Sequence, residues 1–526
     1  MTTGPDREPD GAAYAVVVPT VGRPSLQRLL TSLTGQHACA DHPRPRRIVL
    51  VDDRPDPSPP LRPAIPAGPD RPTLTVLRAH GRGPAAARNV GWRSVSEPWV
   101  VFLDDDVLLP DGWSRLLAAD LWAAGPVDGG IQARIEVPLP ADRRPTDWER
   151  STAGLADARW ITADMAYRRA ALAAVGGFDE RFPRAYREDA DLALRVREAG
   201  WRLVRGRRTT VHPVRPAGPW VSLRAQAGTA DDALMRRRHG RSWRRRAEAG
   251  RGRLPVHAIT VAATAAGLGL LVTGRRGAAR WPLAGAALLT ADFARRRVAP
   301  GPSPASRDGR REWGRMLMTS ALIPPQAVWH RIRGTLRHRT AGPWPGPVRA
   351  VLFDRDGTLV HDVPSTGDPA RVVPTAGAAG ALARLRAAGL RVAVVSNQSG
   401  IARGLLTPRQ VTAVNRRVED VLGPFDAWQV CPHAPEDGCR CRKPEPGLVL
   451  DAARRLGVPP YQCAVVGDIG ADVGAAIAAG ARPVLVPTPV TRAAEIATAP
   501  AIAGTLPEAT QLILQQLSAG PAGGPR

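Results

Sequence analysis

Two carboxylates follow a short apolar run in the stretch Ala350–Val360, AVLFDRDGTLV. The run ends at Asp354, and Asp356 comes two residues later, followed by Gly357 and Thr358. A run of this length predicts a buried parallel strand, and open α/β sheets place their sites at the carboxyl ends of such strands. One carboxylate there can attack a phosphorus atom while the second moves a proton. Two negative charges this close together also favour a bound divalent cation.

Other polar groups follow predicted strands further along the chain. Arg391–Ser396 predicts a strand that ends in a hydroxyl group, and the amide of Asn397 comes next; both groups can hold phosphoryl oxygens. Ala464–Asp468 predicts another strand that ends in an acid. Lys443 is the only lysine among 73 basic residues, which indicates a position where arginine does not serve equally well.

Four stretches in this chain order, DRDGT, SNQSG, CRKPEPG and GDIGAD, resemble the haloacid dehalogenase (HAD) superfamily. The resemblance covers residues 348–500 and is strongest to the phosphatases of heptose 1,7-bisphosphate and histidinol phosphate. It implies that Asp354 is a nucleophile that forms an aspartyl-phosphate and that Asp356 is the general acid and base. The ligands it implies for Mg²⁺ are Asp354, the backbone of Asp356, and Asp468. The substrate-binding residues it implies are Ser396, Asn397, Arg442 and Lys443, with Asp472 in support of Lys443 or the metal.

Three of the five cysteines cluster with a histidine in the pattern Cys431-x-His433-x₅-Cys439-x-Cys441. These are the ligand types of a tetrahedral structural Zn²⁺ site. The clustering argues against a disulfide framework and for a reducing compartment. Because the cluster directly precedes Arg442 and Lys443, we expect it to fix the loop that presents those two cations.

The chain has 526 residues, too many for one hydrophobic core, which predicts two or three domains. Short apolar runs alternate with helical patterns from residue 15 to residue 106, and acids end two of the runs, IVLVDD (48–53) and WVVFLDDD (99–106). This alternation predicts a doubly wound parallel sheet. Carboxylates at the strand ends of such a sheet suit a nucleotide and its metal.

Six stretches here resemble the family 2 glycosyltransferases of the GT-A fold: VVVPTVGRP, IVLVDD, GPAAARNVGW, VVFLDDD, GGFDERF and REDADLALRVREAGW. The resemblance covers residues 12–215. It implies that Asp53 lies beside the nucleotide base, with Asn89 as a second donor-binding residue. It also implies that Asp189 deprotonates the acceptor hydroxyl for inverting transfer. The ligands it implies for a Mg²⁺ or Mn²⁺ on the donor diphosphate are Asp104, Asp106 and His212.

The segment 235–346 is strongly basic, with 23 Arg against four acids, a net +19 of the chain's +25. It contains three apolar runs, at Leu254–Gly274, Trp281–Ala291 and Met316–Trp329, and Pro324–Pro325 is expected to break the third. The first run has 21 residues without a formal charge, and about 20 such residues can span a bilayer core. Three interpretations remain open: a helical hairpin in the membrane, a basic segment lying on anionic lipid, and a soluble Arg-rich linker.

Together these patterns predict an α/β protein with two doubly wound parallel-sheet domains, at residues 12–215 and 346–515, joined by an Arg-rich helical connector at 216–345. The predicted activities are sugar transfer from a nucleotide donor to an acceptor, and Mg²⁺-dependent hydrolysis of a sugar phosphate. The favoured substrate is the 7-phosphate of heptose 1,7-bisphosphate. Two alternatives stay open. One is hydrolysis of histidinol phosphate or another small phosphomonoester; the other is a silent domain that serves for recruitment or membrane anchoring.

The location and partners follow from composition. Residues 1–13 are polar and acidic, so no signal peptide is expected, and the cytoplasm or the cytoplasmic face of the membrane is the expected location. No aromatic platform or binding module accompanies the arginines, so nucleic acid is not an expected partner. The expected partners are a small sugar phosphate, a nucleotide-sugar with its acceptor, and an anionic membrane surface.

Overall fold

The computed structural model describes residues 12–36, 45–65, 72–363 and 367–518. The expectation that no signal peptide is present rests on residues 1–13, and nearly all of these lie outside the described residues. We keep the predicted divisions as names: the N-terminal domain (12–215), the connector (216–345) and the C-terminal domain (346–515).

A seven-stranded sheet forms the centre of the N-terminal domain, in the order β3-β2-β1-β4-β6-β5-β7. Its strands are β1 Tyr14–Thr20, β2 Pro45–Asp52, β3 Thr73–Arg78, β4 Trp99–Leu103, β5 Asp128–Glu136, β6 Asp164–Arg168 and β7 Arg202–Val211. The predicted parallel sheet is confirmed for β1 to β4. The sheet becomes mixed at β6, which is antiparallel to both β4 and β5. The alternating pattern behind the prediction ends at β4, before this strand.

Helices cover both faces of this sheet. Alternate residues of a strand point to opposite sides, and here apolar residues point to both sides. Ala15 and Val17 of β1 belong to one buried cluster, and Val16 and Val18 belong to another. The helices are α1 Ser25–Gly35, α2 Pro84–Arg93, α3 Trp113–Trp122, α4 Asp147–Ala153, α5 Arg169–Ala174 and α6 Glu188–Glu198. Helix α2 lies very close to β1: a Cβ atom at Gly91 would lie 2.3 Å from a methyl carbon of Val17. The sequence GPAAARNVGW therefore supplies small residues where the helix meets the sheet.

The C-terminal domain is built on a five-stranded, fully parallel sheet in the order β10-β9-β8-β11-β12, as predicted. Its strands are β8 Ala350–Phe353, β9 Arg391–Asn397, β10 Ala427–Cys431, β11 Cys463–Gly467 and β12 Arg482–Leu485. Its helices are α13 Ala378–Ala387, α14 Pro408–Leu422, α15 Gly447–Leu456, α16 Gly470–Ala479, α17 Ala493–Thr498 and α18 Leu506–Ser518.

Helix α14 shows how local sequence fixes these elements. Thr407 and Gln410 form a reciprocal capping box at its N-terminus, and Pro408 occupies the first turn, where its missing N–H is not needed. Its buried residues, Val411, Val414, Val418 and Leu422, recur at helical spacing.

Among the described residues between Asp354 and Lys443, no cap domain is inserted, in agreement with the short spacing in the sequence.

The connector is helical. It consists of α7 Val221–Arg224, α8 Asp231–His239, α9 Trp243–Arg246, α10 Leu254–Val272, α11 Arg276–Val298 and α12 Arg307–Arg337. The prediction that Pro324–Pro325 breaks the third apolar run is wrong, because α12 continues through both prolines. Thr319, Ser320, Ile323 and Ala327 are buried on both sides of the prolines, so packing holds the helix together there. Within the described part of the chain, α10 alone is long and apolar enough to cross a membrane by length and composition.

The N- and C-terminal domains pack directly against each other. Arg82, ahead of α2, donates to the carbonyl oxygens of Ala478 and Ala479 at the end of α16, at 2.6 and 2.8 Å, and pairs with Glu180 at 3.1 Å. Ile477 of α16 is buried in a hydrophobic cluster that otherwise belongs to the N-terminal domain. The two domains therefore share part of one core.

Candidate active sites

Three neighbouring strands bring the predicted C-terminal site together at their carboxyl ends. Asp354 follows β8, Ser396 and Asn397 end β9, and Asp468 follows β11. Because β8 lies between β9 and β11, these side chains converge at one edge of the sheet. Lys443 enters from the loop between β10 and α15.

The ammonium group of Lys443 is buried between two carboxylates. Its Nζ atom lies 2.6 Å from Asp354 Oδ1 and 2.5 Å from Asp472 Oδ1, and it donates to the carbonyl oxygen of Val395 at 2.8 Å. Burial alone would lower the pKa of Lys443, but Asp354 and Asp472 outweigh it and raise that pKa well above its ordinary value. Burial raises the pKa of Asp354 to about 8, although the neighbouring ammonium acts in the opposite direction.

A group of acids at this point can hold a metal ion. One oxygen each of Asp354, Asp468 and Asp472 lies within 4.8 Å of the others. Burial, with a further contribution from Asp472, raises the pKa of Asp468 to about 6. Buried carboxylates that repel one another are ligands that a hard divalent cation such as Mg²⁺ prefers. Asp472, expected only to support Lys443 or the metal, contacts that lysine and belongs to the acidic group.

The Asp356 side chain is not part of this acidic group. Arg355 holds both of its oxygens, at 2.9 Å each, and Gln398 donates to Oδ2 at 2.7 Å. Arg355 in turn donates to Asn415 of α14 at 2.7 Å. Both oxygens of Asp356 are thus held by side chains outside the acidic group, which fixes the carboxylate in position, as a proton-transfer group requires. Arg355 and Gln398 were not among the predicted site residues, although they lie within the DRDGT and SNQSG stretches.

The remaining predicted residues line or support a cavity of about 270 Å³ next to these groups. Asp354, Asp356, Asn397, Arg442 and Lys443 all border it. Asn397 also fixes the lysine loop, because its side chain accepts from the Lys443 N–H at 3.0 Å and donates to the Lys443 carbonyl at 3.1 Å. Ser396 is buried, and its hydroxyl accepts from Gln398 at 2.9 Å. A small phosphorylated molecule fits a cavity of this size.

The four predicted Cys/His ligands lie together at the end of β10. Sulfur–sulfur distances are 3.7 Å for Cys431–Cys439, 3.4 Å for Cys431–Cys441 and 3.4 Å for Cys439–Cys441. The Nδ1 atom of His433 lies 3.6 Å from the Cys431 sulfur and 3.3 Å from the Cys441 sulfur. A disulfide would need about 2.0 Å, whereas ligands around one tetrahedral ion are separated by roughly 3.5–3.8 Å. The cluster therefore has the dimensions of a four-coordinate metal site.

In the N-terminal domain, the predicted metal ligands also meet. Ligand atoms of Asp104, Asp106 and His212 lie within 4.8 Å of one another, and His212 Nε2 is 3.7 Å from Asp106 Oδ1. Burial, reinforced by Asp104, raises the pKa of Asp106. Arg215, which the sequence analysis did not single out, lies 2.7 Å from the other oxygen of Asp106.

Arg88 connects this group to the predicted base. Its buried guanidinium lies 2.9 Å from Asp104 and 2.9 Å from Glu188, the residue before Asp189. Burial, with Asp189 next, raises the pKa of Glu188 to about 8, and burial also raises the pKa of Asp189. A carboxylate whose pKa is raised is a better proton acceptor. Arg88 lies within GPAAARNVGW, so its position was visible in the sequence although its role was not.

Asp53 and Asn89 differ in whether their side chains still have a hydrogen-bonding group without a partner. One oxygen of Asp53 accepts from the Gly83 N–H at 2.9 Å, while the other is buried and has no hydrogen-bond partner among the described residues. Asn89 is fully buried: its amide donates to Phe178 and Glu180 and accepts from Trp92 and the Phe178 N–H, at 2.8–2.9 Å. That placement contradicts the predicted donor-binding role of Asn89, because its hydrogen-bonding capacity is already used in the core.

Comparison with family models gives two matches. The glycosyl transferase family 2 model matches residues 15–176, and the HAD-hydrolase-like model matches residues 440–512.

Individual relatives match the C-terminal domain. The D-glycero-beta-D-manno-heptose-1,7-bisphosphate 7-phosphatase of Bordetella bronchiseptica is 38% identical over 146 residues, covering 27% of this chain and 82% of the relative. The D-glycero-alpha-D-manno-heptose-1,7-bisphosphate 7-phosphatase of Mycobacterium bovis is 39% identical over 146 residues, covering 25% and 75%. A crystal structure of the D,D-heptose 1,7-bisphosphate phosphatase of B. bronchiseptica, complexed with magnesium and phosphate, is 32% identical. It covers 32% of this chain and 99% of that one, with a TM-score of 0.30.

We expect Lys443→Met to destabilise the protein strongly in the absence of added divalent cation, because it leaves Asp354 and Asp472 buried without a counter-charge. Breaking a buried ion pair by removing one partner costs about 3–5 kcal/mol. Chemical unfolding of the full chain measures the effect. The matched control is Arg442→Met, whose guanidinium donates to the His433 carbonyl at 3.3 Å. Equal unfolding midpoints for the two variants would contradict the assigned role of the ammonium.

Proposed function

The C-terminal domain of this chain belongs to the HAD-type phosphatases that include the heptose-bisphosphate phosphatases, and the N-terminal domain is a family 2 glycosyltransferase domain; from this premise we propose a bifunctional sugar enzyme. Its phosphatase removes the 7-phosphate of heptose 1,7-bisphosphate, and its transferase moves a sugar from a nucleotide donor to an acceptor. The observation that carries the phosphatase proposal is the convergence of Asp354, Lys443, Asp468 and Asp472 at one sheet edge.

In the proposed phosphatase reaction, an Asp354 oxygen bonds to phosphorus while the bond from phosphorus to the sugar oxygen breaks. Asp356, when it is protonated and has turned away from its ion pair with Arg355, gives its proton to the departing sugar oxygen. It then removes a proton from the water that attacks the aspartyl-phosphate, which releases phosphate and regenerates Asp354. Mg²⁺ bound by the acidic group would supply positive charge for the ionised nucleophile and the phosphoryl oxygens. Lys443 supplies a fixed positive charge at the same point.

In the proposed transferase reaction, Asp189 removes the proton of the acceptor hydroxyl, whose oxygen attacks the anomeric carbon while the nucleoside diphosphate leaves. Asp104, Asp106 and His212 would hold a Mg²⁺ or Mn²⁺, which neutralises charge on the donor diphosphate. Asp53, one oxygen of which has no hydrogen-bond partner among the described residues, would contact the nucleotide base once that base opens access to it.

A chemical relation between the two activities supports the fusion. Hydrolysis of the 7-phosphate leaves a sugar 1-phosphate. A sugar 1-phosphate is the form that a nucleotidyl-transfer reaction converts into a nucleotide-sugar, which is the donor class of the transferase.

We also infer that Cys431, His433, Cys439 and Cys441 hold a structural Zn²⁺, because closed sites with these four ligands are typical of zinc. The Arg442 N–H donates to the Cys439 sulfur at 3.4 Å, so the ion would fix the start of the lysine loop.

The phosphatase proposal predicts that the full chain releases phosphate from heptose 1,7-bisphosphate faster than from histidinol phosphate or hexose phosphates. Both anomers of the bisphosphate should be assayed. Asp354→Asn should reduce the rate by more than about 1,000-fold, since removal of a nucleophile has effects of that order or larger. Asp451→Asn, an exposed acid on α15, is the matched control. Faster release from histidinol phosphate would replace the heptose assignment, and no release from any sugar phosphate would refute it.

The transferase proposal predicts that divalent cation removal abolishes release of nucleoside diphosphate from the donor, and that Mg²⁺ or Mn²⁺ restores it. A panel of nucleotide-sugars serves as substrate. Asp106→Asn should lower the rate by at least about 10- to 100-fold. Even the replacement of a residue that only hydrogen-bonds to a metal ligand has an effect of that size. The control is Asp111→Asn, five residues further along the chain. Full activity after chelation would disprove the metal assignment.

The zinc proposal predicts about one Zn²⁺ per chain by elemental analysis, lost in Cys439→Ser. Phosphate release should fall with it, because the loop that carries Arg442 and Lys443 loses its support. Cys463→Ser is the matched control, since Cys463 is a buried free cysteine outside the cluster. Wild-type zinc content in Cys439→Ser would contradict the four-ligand site.

A further inference from the structure

Helices α10 and α11 form a hairpin that also packs on α12 and leaves many of its apolar side chains exposed. The two helices pack on each other, with Leu283 against Gly267, where a Cβ atom would lie 2.5 Å from the Leu283 Cγ. Only 17% of the apolar window of α10 is buried. Ile259, Leu268 and Val272 are 60%, 53% and 88% exposed, and Trp281 and Leu288 of α11 are each 71% exposed.

This exposure is continuous, unlike the scattered apolar residues of an ordinary soluble surface. The exposed residues of α10 include Ala262, Ala265, Ala266 and Leu271 besides those above, so they surround the helix except where it packs on α11 and α12. A helix that is apolar all round is buried in a core or in lipid, whereas a helix that lies on a membrane surface has one polar face. The hairpin therefore fits insertion into a bilayer better than adsorption.

The threonine hydroxyls of the hairpin are satisfied within the hairpin. The hydroxyls of Thr260, Thr264, Thr273 and Thr290 each donate to the carbonyl oxygen four residues earlier, at 2.9–3.0 Å. A lipid environment requires such internal pairing, because it offers no water for unpaired groups.

Arginines mark both ends of the hairpin. Arg275, Arg276 and Arg280 are exposed at its tip. Arg295 and Arg296 are 70% and 57% exposed at its base, where both pair with Asp292. Phospholipid headgroups, above all the anionic ones, carry negative charges that complement these two groups of arginines.

The length of α10 fits between two headgroup layers, whereas the apolar run of α11, Trp281–Ala291, has 11 residues and spans about 16 Å, so the long side chain of Arg280 would have to extend along the helix to reach the far layer. Helix α10 has 19 residues, which gives about 28 Å at 1.5 Å per residue, close to the roughly 30 Å of a hydrocarbon core. The base is tied to the N-terminal domain, because Arg297 pairs with Asp147 at 2.7 Å and its carbonyl accepts from Arg150 at 2.6 Å.

We propose that the α10–α11 hairpin inserts into a lipid bilayer. The tip arginines lie in the far headgroup layer, the base arginines lie in the near one, and both enzyme domains remain on the near side. This places the enzyme permanently at a membrane that contains anionic lipid.

The test reconstitutes the detergent-purified full chain into sealed vesicles of phosphatidylcholine and phosphatidylglycerol. Wild-type protein should float with the vesicles after both high-salt and alkaline carbonate washes. Leu268→Asp/Leu288→Asp should lower the bilayer-bound fraction by more than about 100-fold, given the known penalty for Asp at the centre of a spanning helix. The control is Trp122→Asp/Val127→Asp, which changes residues of the N-terminal domain that are 46% and 42% exposed. It should float like the wild type, and circular dichroism should verify that both variants are folded.

A second measurement does not depend on any variant. Trypsin added to the outside of sealed vesicles should not cut at Arg275 or Arg276 until detergent opens the vesicles. Cleavage at these residues in sealed vesicles, or release of the protein by high salt alone, would overturn insertion. Failure of the wild type to float would also overturn it. A lipid-free dimer that Leu268→Asp/Leu288→Asp dissociates would instead identify a second copy of the chain as the occupant of this surface. Since phosphate release plays no part in these readouts, their failure leaves the phosphatase proposal unaffected.

Discussion

One buried ammonium group between two carboxylates is the interaction on which the C-terminal site depends. The sheet edge gathers Asp354, Asp468 and Asp472 within a few ångströms, and their mutual repulsion would open the site without a fixed positive charge. The Lys443 Nζ, a compact point charge with three donors, pairs with two acids and donates to one backbone carbonyl. The planar fork of an arginine could not point in these three directions from the same buried position. This accounts for the one lysine in a chain that uses arginine everywhere else.

In the N-terminal domain, an arginine rather than a lysine offsets the repulsion between carboxylates. Arg88 is buried between Asp104 and Glu188, which lie on separate elements, and its extended guanidinium spans them. Here the carboxylates approach from two sides rather than converging on one point, so a fork is the suitable shape. In both domains, the elements that carry the acids also depend on the cation that separates them.

Much of the fold and of both sites could be predicted because parallel strands place their ends together. An apolar run followed by an acid was enough to locate Asp53, Asp104, Asp354 and Asp468. Side-chain direction was not predictable in the same way. Nothing in the sequence shows that Asn89 turns into the core, or that Arg355 folds back onto its neighbour Asp356.

Long-range packing accounts for the other differences between the predicted and the observed helices and strands. Pro324 and Pro325 predict a break in an isolated helix, but the buried face of α12 continues across them. The antiparallel β6 comes after the strand–helix alternation has ended, so no local periodicity indicates its direction.

The placement of Ile477 has a consequence for how the two halves can evolve and be engineered. Its side chain completes a core that belongs to the other half, and Arg82 caps the end of the helix that carries it. A chain divided between the connector and the C-terminal domain would expose this isoleucine on one fragment and leave a vacant space in the other. Swapping either half for a homologue therefore requires the partner's surface to change with it.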